Sequence, residues 1–270
     1  MKLQYLGTAA AEGIPGIFCR CEVCQKARAL GGKDLRRRSG AFLDDRLLID
    51  VPPDLYAASL ALGIDLSVVE DILVTHVHRD HFYLQELDDY APMFAHRKGV
   101  PAVRLHGSET VRDDFRREYD ARLDGLVEPM VVHPYRAVEI AGYTVTPLRA
   151  SHGAGVSLIY AIEGGGKRLL YANDTGFPTE DVWEHLKGMR FDLVSMDCTS
   201  LAGPWYDSHM NIDGNLKMRQ RLLEMGSADE KTVFVATHFS HNGGLLHDEI
   251  VARFADVGVR VAYDGYTVEV

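Results

Sequence analysis

The stretch His76-Val77-His78-Arg79-Asp80-His81 constrains this chain more than any other, because three imidazoles and a carboxylate directly follow the apolar run Asp71-Ile72-Leu73-Val74-Thr75. Residues two apart on an extended segment project to the same side, so His76 and His78 can share one metal ion. If the chain then turns into a helix, Asp80 and His81 are redirected toward a second ion. In a chain of 270 residues with 12 histidines, this spacing arises by chance in roughly three sequences per thousand. Solvated loop histidines are the competing reading, and the buried strand just ahead argues against it.

The remaining sequence reads as strands alternating with helices. Strand hairpins are expected over 41–50, turning at Asp44-Asp45, and over 157–173, turning at Gly164-Gly165-Gly166. Helical periodicity marks 54–62, 82–96, 109–123, 180–187, 213–225 and 246–257, and buried strands are expected at 1–6, 72–75, 103–106, 143–148, 193–196, 233–237 and 259–263. With 46% hydrophobic residues and no repeat or linker-like tract, the whole span 1–270 is expected to form a single domain of α/β class. No apolar stretch approaches the roughly 20 residues of a membrane helix, and the N-terminus lacks the pattern of a signal peptide, so a cytoplasmic protein without membrane association is expected. The charge of −10, from 29 basic and 39 acidic residues, argues against a broad footprint for long nucleic acids.

The hexapeptide resembles the HxHxDH signature of the metallo-β-lactamase superfamily. Further residues follow in the order that resemblance implies. His152, after the strand ending at Leu148, would complete a set with His76 and His78; Asp174 would bridge two ions; His238 would join Asp80 and His81. The resemblance spans nearly the whole chain and implies a four-layer αββα sandwich. The ligand types suit zinc, manganese or iron, and two such ions polarise a phosphoryl oxygen and activate water as the nucleophile.

A second cluster is Cys19-Arg20-Cys21-Glu22-Val23-Cys24, three thiols in one loop. In a reducing compartment this spacing points to metal ligation, with His241, three residues beyond His238, as candidate fourth ligand of a structural zinc. Three free thiols are the competing reading. The combination resembles the phosphonate-pathway cyclic phosphodiesterase group of the superfamily. A quinone-cofactor biosynthesis branch has a similar cysteine site, and the intact histidine motif argues more for a hydrolase than for that pathway. Cys198 stands alone and reads as a buried free thiol.

Resemblance to these phosphodiesterases implies that His209, ahead of Asn211, lies over the metals as acid or transition-state stabiliser; a helix-capping or solvent histidine is the alternative. Asp50 and Asp197 each end a strand and read equally as partners of a ligand histidine or as turn residues. Trp205 and Tyr206 either stack on a substrate or simply pack. Two departures from those phosphodiesterases could reshape the pocket: the helix over 213–225 after His209, and the loop over 82–100 with its acidic Glu86, Asp88 and Asp89.

The leading expectation is a dinuclear phosphodiesterase acting on a small, even cyclic, phosphodiester, with Asp80 and His209 as catalytic residues. The rivals are an RNA-processing endonuclease of the same fold, a thioester or β-lactam hydrolase, and a non-catalytic metal-stabilised binding protein. The endonuclease needs a basic patch, and Arg36-Arg37-Arg38 is the strongest cluster available. Oligomeric state stays open, a homodimer included.

Overall fold

The computed structural model describes residues 1–119 and 122–270. Its first strands are β1 (Lys2–Gly7), β2 (Gly40–Leu43), β3 (Leu47–Ile49), β4 (Asp71–Leu73), β5 (Val103–Gly107), β6 (Val127–Val131) and β7 (Val138–Ile140). Then come β8 (Tyr143–Arg149), β9 (Leu158–Gly164), β10 (Lys167–Ala172), β11 (Leu193–Asp197), β12 (Val233–Thr237), β13 (Val259–Val261) and β14 (Thr267–Glu269). The α-helices are α1 (Glu22–Leu30), α2 (Leu55–Leu62), α3 (Glu109–Glu118), α4 (Glu180–Leu186), α5 (Ile212–Glu224) and α6 (His247–Phe254).

One sheet runs in the order β14-β1-β2-β3-β4-β5-β6 and the other β13-β12-β11-β10-β9-β8-β7. Strand alternation explains how they stack. Along β9, Leu158, Tyr160 and Ile162 face the layer between the sheets, while Ile159 and Ala161 face a second apolar cluster. In β3, Leu47 and Ile49 point inward and Leu48 points to a third cluster. Side chains of period two that are apolar on both faces require cover on both faces. The second cluster is closed by Trp183 of α4, Met218 of α5 and Phe254 of α6. Leu55 of α2 and Phe115 of α3 close the third. The result is the expected helix–sheet–sheet–helix sandwich.

Both hairpins form where expected. Asp44 and Asp45 adopt φ of 47° and 54°, and Gly165 and Gly166 adopt 60° and 72°, the two consecutive left-handed residues that match the strand twist. The helix expected over 82–96 is a correction: only a 3-10 segment, Leu84–Tyr90, forms there. Phe82 instead bridges Val51, and Pro92 forces Ala91 into an extended conformation that stops any helix. The expectation over 109–123 holds as far as Glu118, and residues 120 and 121 of it lie outside the described residues. Helix α1 and strands β6, β7 and β14 carried no clear periodic signal. Among the described residues, no helix is long and apolar enough to cross a membrane.

Topology decides where chemistry can gather. Strands β3, β4, β8, β10, β11 and β12 are each followed directly by a polar loop, and these loops meet at one edge of the sandwich. Strand pairing makes β3, β4 and β5 parallel, and β10, β11 and β12 parallel, so their C-terminal ends line up within each sheet.

Candidate functional site

Three groups of ligand-type side chains assemble at that edge. His76, His78, His152 and Asp174 bring their donor atoms within 4.8 Å of one another, and so do Asp80, His81, Asp174 and His238. Asp174 belongs to both. Nitrogens of His76 and His152 each lie 3.0 Å from Nδ1 of His78, and Nε2 atoms of His81 and His238 are 3.1 Å apart. Asp174 Oδ2 lies 3.1 Å from His76 Nε2 and 3.3 Å from His81 Nε2.

The outward nitrogens of His76, His81, His152 and His238 are spoken for, which fixes how those rings face inward; among the described residues His78 has no such anchor. His81 Nδ1 donates to Asp50 Oδ2 at 2.7 Å, and His76 Nδ1 donates to Thr75 Oγ1 at 3.0 Å. His152 Nδ1 donates to the Ser208 carbonyl at 3.2 Å. His238 Nδ1 donates to Thr199 Oγ1, whose hydroxyl donates in turn to Asp197 Oδ2, both at 2.7 Å. Asp50 and Asp197, ambiguous in sequence, are thus the anchors of ligand-type histidines. Both are fully buried.

These residues fit a pair of cations. Lone pairs of several imidazoles converge with carboxylate oxygens, and Asp174 Oδ1 is buried without an aligned hydrogen-bond partner among the described residues. Burial and the neighbouring His81 push His76 down to about 4, and burial also lowers His152. Burial would raise Asp174, but the surrounding imidazoles, His238 first, hold it well below the carboxylate range. Burial would lower His81 and His238 as well, but the carboxylates around them, Asp80 and Asp174 first, raise both, so ion binding there would release protons, because neutral imidazole and ionised carboxylate are the forms that bind metal. The backbone is strained here too: Asp50, Asp174 and His238 have φ of 66°, 50° and 62°, the left-handed region that costs a non-glycine residue ~1 kcal/mol or more.

His209 sits beside this centre and does not cap a helix. Asn211 has that role, accepting from the Gly214 amide at 2.9 Å. His209 Nδ1 lies 3.1 Å from Asp174 Oδ1 and 3.5 Å from Asp197 Oδ2, buried and without an aligned partner. Burial alone would lower its pKa, yet the Asp174 and Asp197 carboxylates raise it to about 10. Gly176 permits this approach, since a Cβ there would lie 1.7 Å from the Asp207 carbonyl oxygen. His209, His238, Asp174 and Asp197 also form a third ligand-type group, which the sequence did not suggest.

The cysteine cluster forms as expected. Cys19, Cys21, Cys24 and His241 bring their donor atoms within 4.8 Å, with His241 Nδ1 3.4 Å from Cys21 Sγ and 3.8 Å from Cys19 Sγ. Cys21 caps α1 by accepting from the Cys24 amide. The backbone amide of Cys21, 3.4 Å away, lowers the Cys19 thiol, whereas burial pushes Cys24 up to about 12. These soft donors fit a closed tetrahedral zinc. Cys198 is buried in the core outside every cluster.

A cavity of about 490 Å³ opens over the histidines and is lined by His78, His152, His209 and Tyr206 among others. Tyr206, 55% exposed, is available to a ligand. Trp205 instead packs on Phe177, ring centroids 5.6 Å apart, beneath the Lys217 ammonium. Of the two departures that could reshape the pocket, the acidic loop stays away from this cavity: Glu86 and Asp89 line a separate one between α2 and the 84–97 segment, and Asp88 lines neither. The basic triplet is also consumed by the fold. Arg36 is buried against Thr8, the Ala262 carbonyl and His247, Arg37 donates to the Leu6 carbonyl, and Arg38 pairs with Asp54.

Comparison with known proteins agrees with this geometry. Residues 45–259 match the beta-lactamase superfamily domain. Coenzyme PQQ synthesis protein B of Methylobacterium nodulans is 27% identical over 232 residues, covering 75% of this chain and 74% of the relative. A crystal structure of a diphosphatase of the PhnP family aligns with TM-score 0.77 and 25% identity over 99% of this chain and 96% of that one. Zinc-bound PqqB of Methylobacterium extorquens aligns over the full length of both chains with TM-score 0.79 at 22% identity. The match across most of the chain, and two mixed sheets whose loop edge gathers histidines and aspartates, lead to one conclusion: this protein belongs to the beta-lactamase superfamily and is one of its metallo-β-lactamase-fold hydrolases.

Proposed function

We propose that the protein is a dinuclear phosphodiesterase for a small substrate. The observation that carries this reading is Asp174, one buried carboxylate shared by two ligand groups at the floor of an open cavity. His76, His78 and His152 would hold one divalent ion and Asp80, His81 and His238 the other, with Asp174 between them; zinc or manganese suits these donors. Bound there, the ions supply Lewis acidity that polarises a phosphoryl oxygen and makes water acidic enough to deprotonate near neutral pH. Cys19, Cys21, Cys24 and His241 would hold a structural zinc that fixes the loop following His238.

The chain's own residues do the rest. Asp50 and the Thr199–Asp197 relay keep the ligand rings of His81 and His238 oriented. His209 is held with Nδ1 toward Asp174 and Asp197, which leaves Nε2 on the other side of its ring to give a proton to the leaving alkoxide. A small substrate fits the size of the cavity, and the spent Arg36-Arg37-Arg38 triplet supports a substrate other than long RNA. The relation to the PhnP-family diphosphatase favours phosphoester over thioester chemistry.

The test is a panel of bis(p-nitrophenyl) phosphate, a nucleoside 2′,3′-cyclic phosphate, a thioester and a β-lactam, run alongside elemental analysis. Turnover of the diesters with two catalytic metals is expected; thioester turnover alone would replace this reading. His209→Ala should lower kcat about 10²- to 10⁴-fold with metal content unchanged. Loss of an ion from that variant would make His209 a ligand instead.

A further inference from the structure

The catalytic cavity contains one carboxylate that neither metal group uses. Glu12 lies in the loop after β1, drawn to the loop after β12 by backbone bonds from Ala10 to Phe239 and from Phe239 to Thr8, both 2.9 Å. Its Oε1 accepts from Ser240 Oγ at 2.5 Å and lies 3.6 Å from His241 Nε2. Ser240 is itself fixed by the Asn242 amide at 3.1 Å. Glu12 is therefore held against the cavity wall with 31% of its side chain exposed, and among the described residues no donor reaches Oε2.

The other polar lining besides the histidines and aspartates is neutral: Thr199, Ser200, Tyr206, Ser240 and Asn242. Among the described residues no lysine or arginine lines the cavity, and Arg79, between His78 and Asp80, is exposed without being one of its lining residues. A phosphate beyond the one being cleaved needs arginine, lysine or a row of amide donors. Here it would meet a carboxylate instead. A sugar or polyol hydroxyl has the opposite fate, because it donates a charge-assisted hydrogen bond to that same oxygen.

We propose that Glu12 sets substrate class: the non-reacting part of the phosphodiester is uncharged and bears hydroxyl groups, and substrates with a further phosphate are rejected. The proposal rests on the phosphodiesterase reading and narrows it. Like charges a few ångströms apart in a half-open cleft weaken binding at least about tenfold, and salt screens part of the effect.

The experiment compares adenosine 2′,3′-cyclic phosphate carrying a 5′-hydroxyl with the same molecule carrying a 5′-phosphate, in the metal-loaded full chain. The 5′-hydroxyl form should have a kcat/KM at least about tenfold higher, the difference lying in KM and shrinking as ionic strength rises. Glu12→Gln should bring the ratio toward one, and Glu12→Lys should invert it. Zinc content of each variant shows whether the His241 loop has stayed intact. If both variants lose zinc, the ratio in the unaltered protein and its salt dependence decide. Equal kcat/KM for the two substrates, or preference for the 5′-phosphate, overturns the proposal while leaving the phosphodiesterase reading standing. Turnover of no diester at all removes both.

Discussion

The two ligand clusters of this molecule are built on opposite plans. The histidine–aspartate centre draws on loops after β4, β8, β10 and β12, from both sheets, and His76, His81, Asp174 and His238 are at most 3% exposed. In the cysteine cluster, three donors come from one loop and the first turn of α1, and Cys21 is exposed. Long-range topology positions the first; local helix capping positions most of the second. Damage to the first should therefore fall on chemistry, and damage to the second on stability.

The hardest test of that contrast is Asp174→Ala. Removing the carboxylate common to both groups should lower hydrolysis of bis(p-nitrophenyl) phosphate at least about a thousandfold while the circular-dichroism spectrum keeps its native shape. A variant that retained full activity would take Asp174 out of the reaction. Cys21→Ser probes the other side. It should release one zinc equivalent and lower Tm by roughly 5 °C or more, with kcat changed less than about threefold. Unchanged zinc stoichiometry would show that the cysteines are not a metal site, and a collapse of kcat at full folding would erase the distinction between the clusters.

The smallest effect sharpens the comparison with a carboxylate outside both clusters. Asp71, 3% exposed at the start of β4, accepts from His106 Nε2 and Arg104 Nε, both at 2.7 Å. Burial would raise its pKa, but these hydrogen bonds prevail and hold it at about 2. Its folded value lies below the unfolded ~3.9, so the stability it contributes is present above pH 4 and is lost as pH falls toward 2. Because Arg104 is partly exposed, screening reduces the contribution to roughly 1–2 kcal/mol. Acid unfolding of the chelator-treated protein should show this loss between pH 4 and 2, and Asp71→Asn should flatten it. An unaltered pH slope in that variant would deny the contact its role.

What the sequence made legible follows the same division. His76, His78, Asp80 and His81 are contiguous, and their spacing after an apolar run is itself the geometric signal. His152, Asp174 and His238 were legible only through their order along the chain. Asp50 and Asp197 could not be told from turn residues, because what distinguishes them is a bond to His81 and a relay to His238 across the fold. Glu12 gave no signal at all: it lies in an alanine- and glycine-rich loop and reaches the cavity only because that loop binds the one after β12. Among the elements, β6 carries Pro129 at the edge of its sheet and β7 has three residues, two of them exposed, so neither shows a strand's apolar alternation. Helix α1 was hidden because its first turn is the cysteine cluster, whose residues read as a loop.

The seven proposed ligands divide four to three between loops of the first sheet and loops of the second. Neither half of the sandwich can then hold a complete pair by itself. Filled sites would act as a rivet across the seam, clamping the two halves at one edge and tying cohesion of the whole sandwich to the supply of ions in its surroundings.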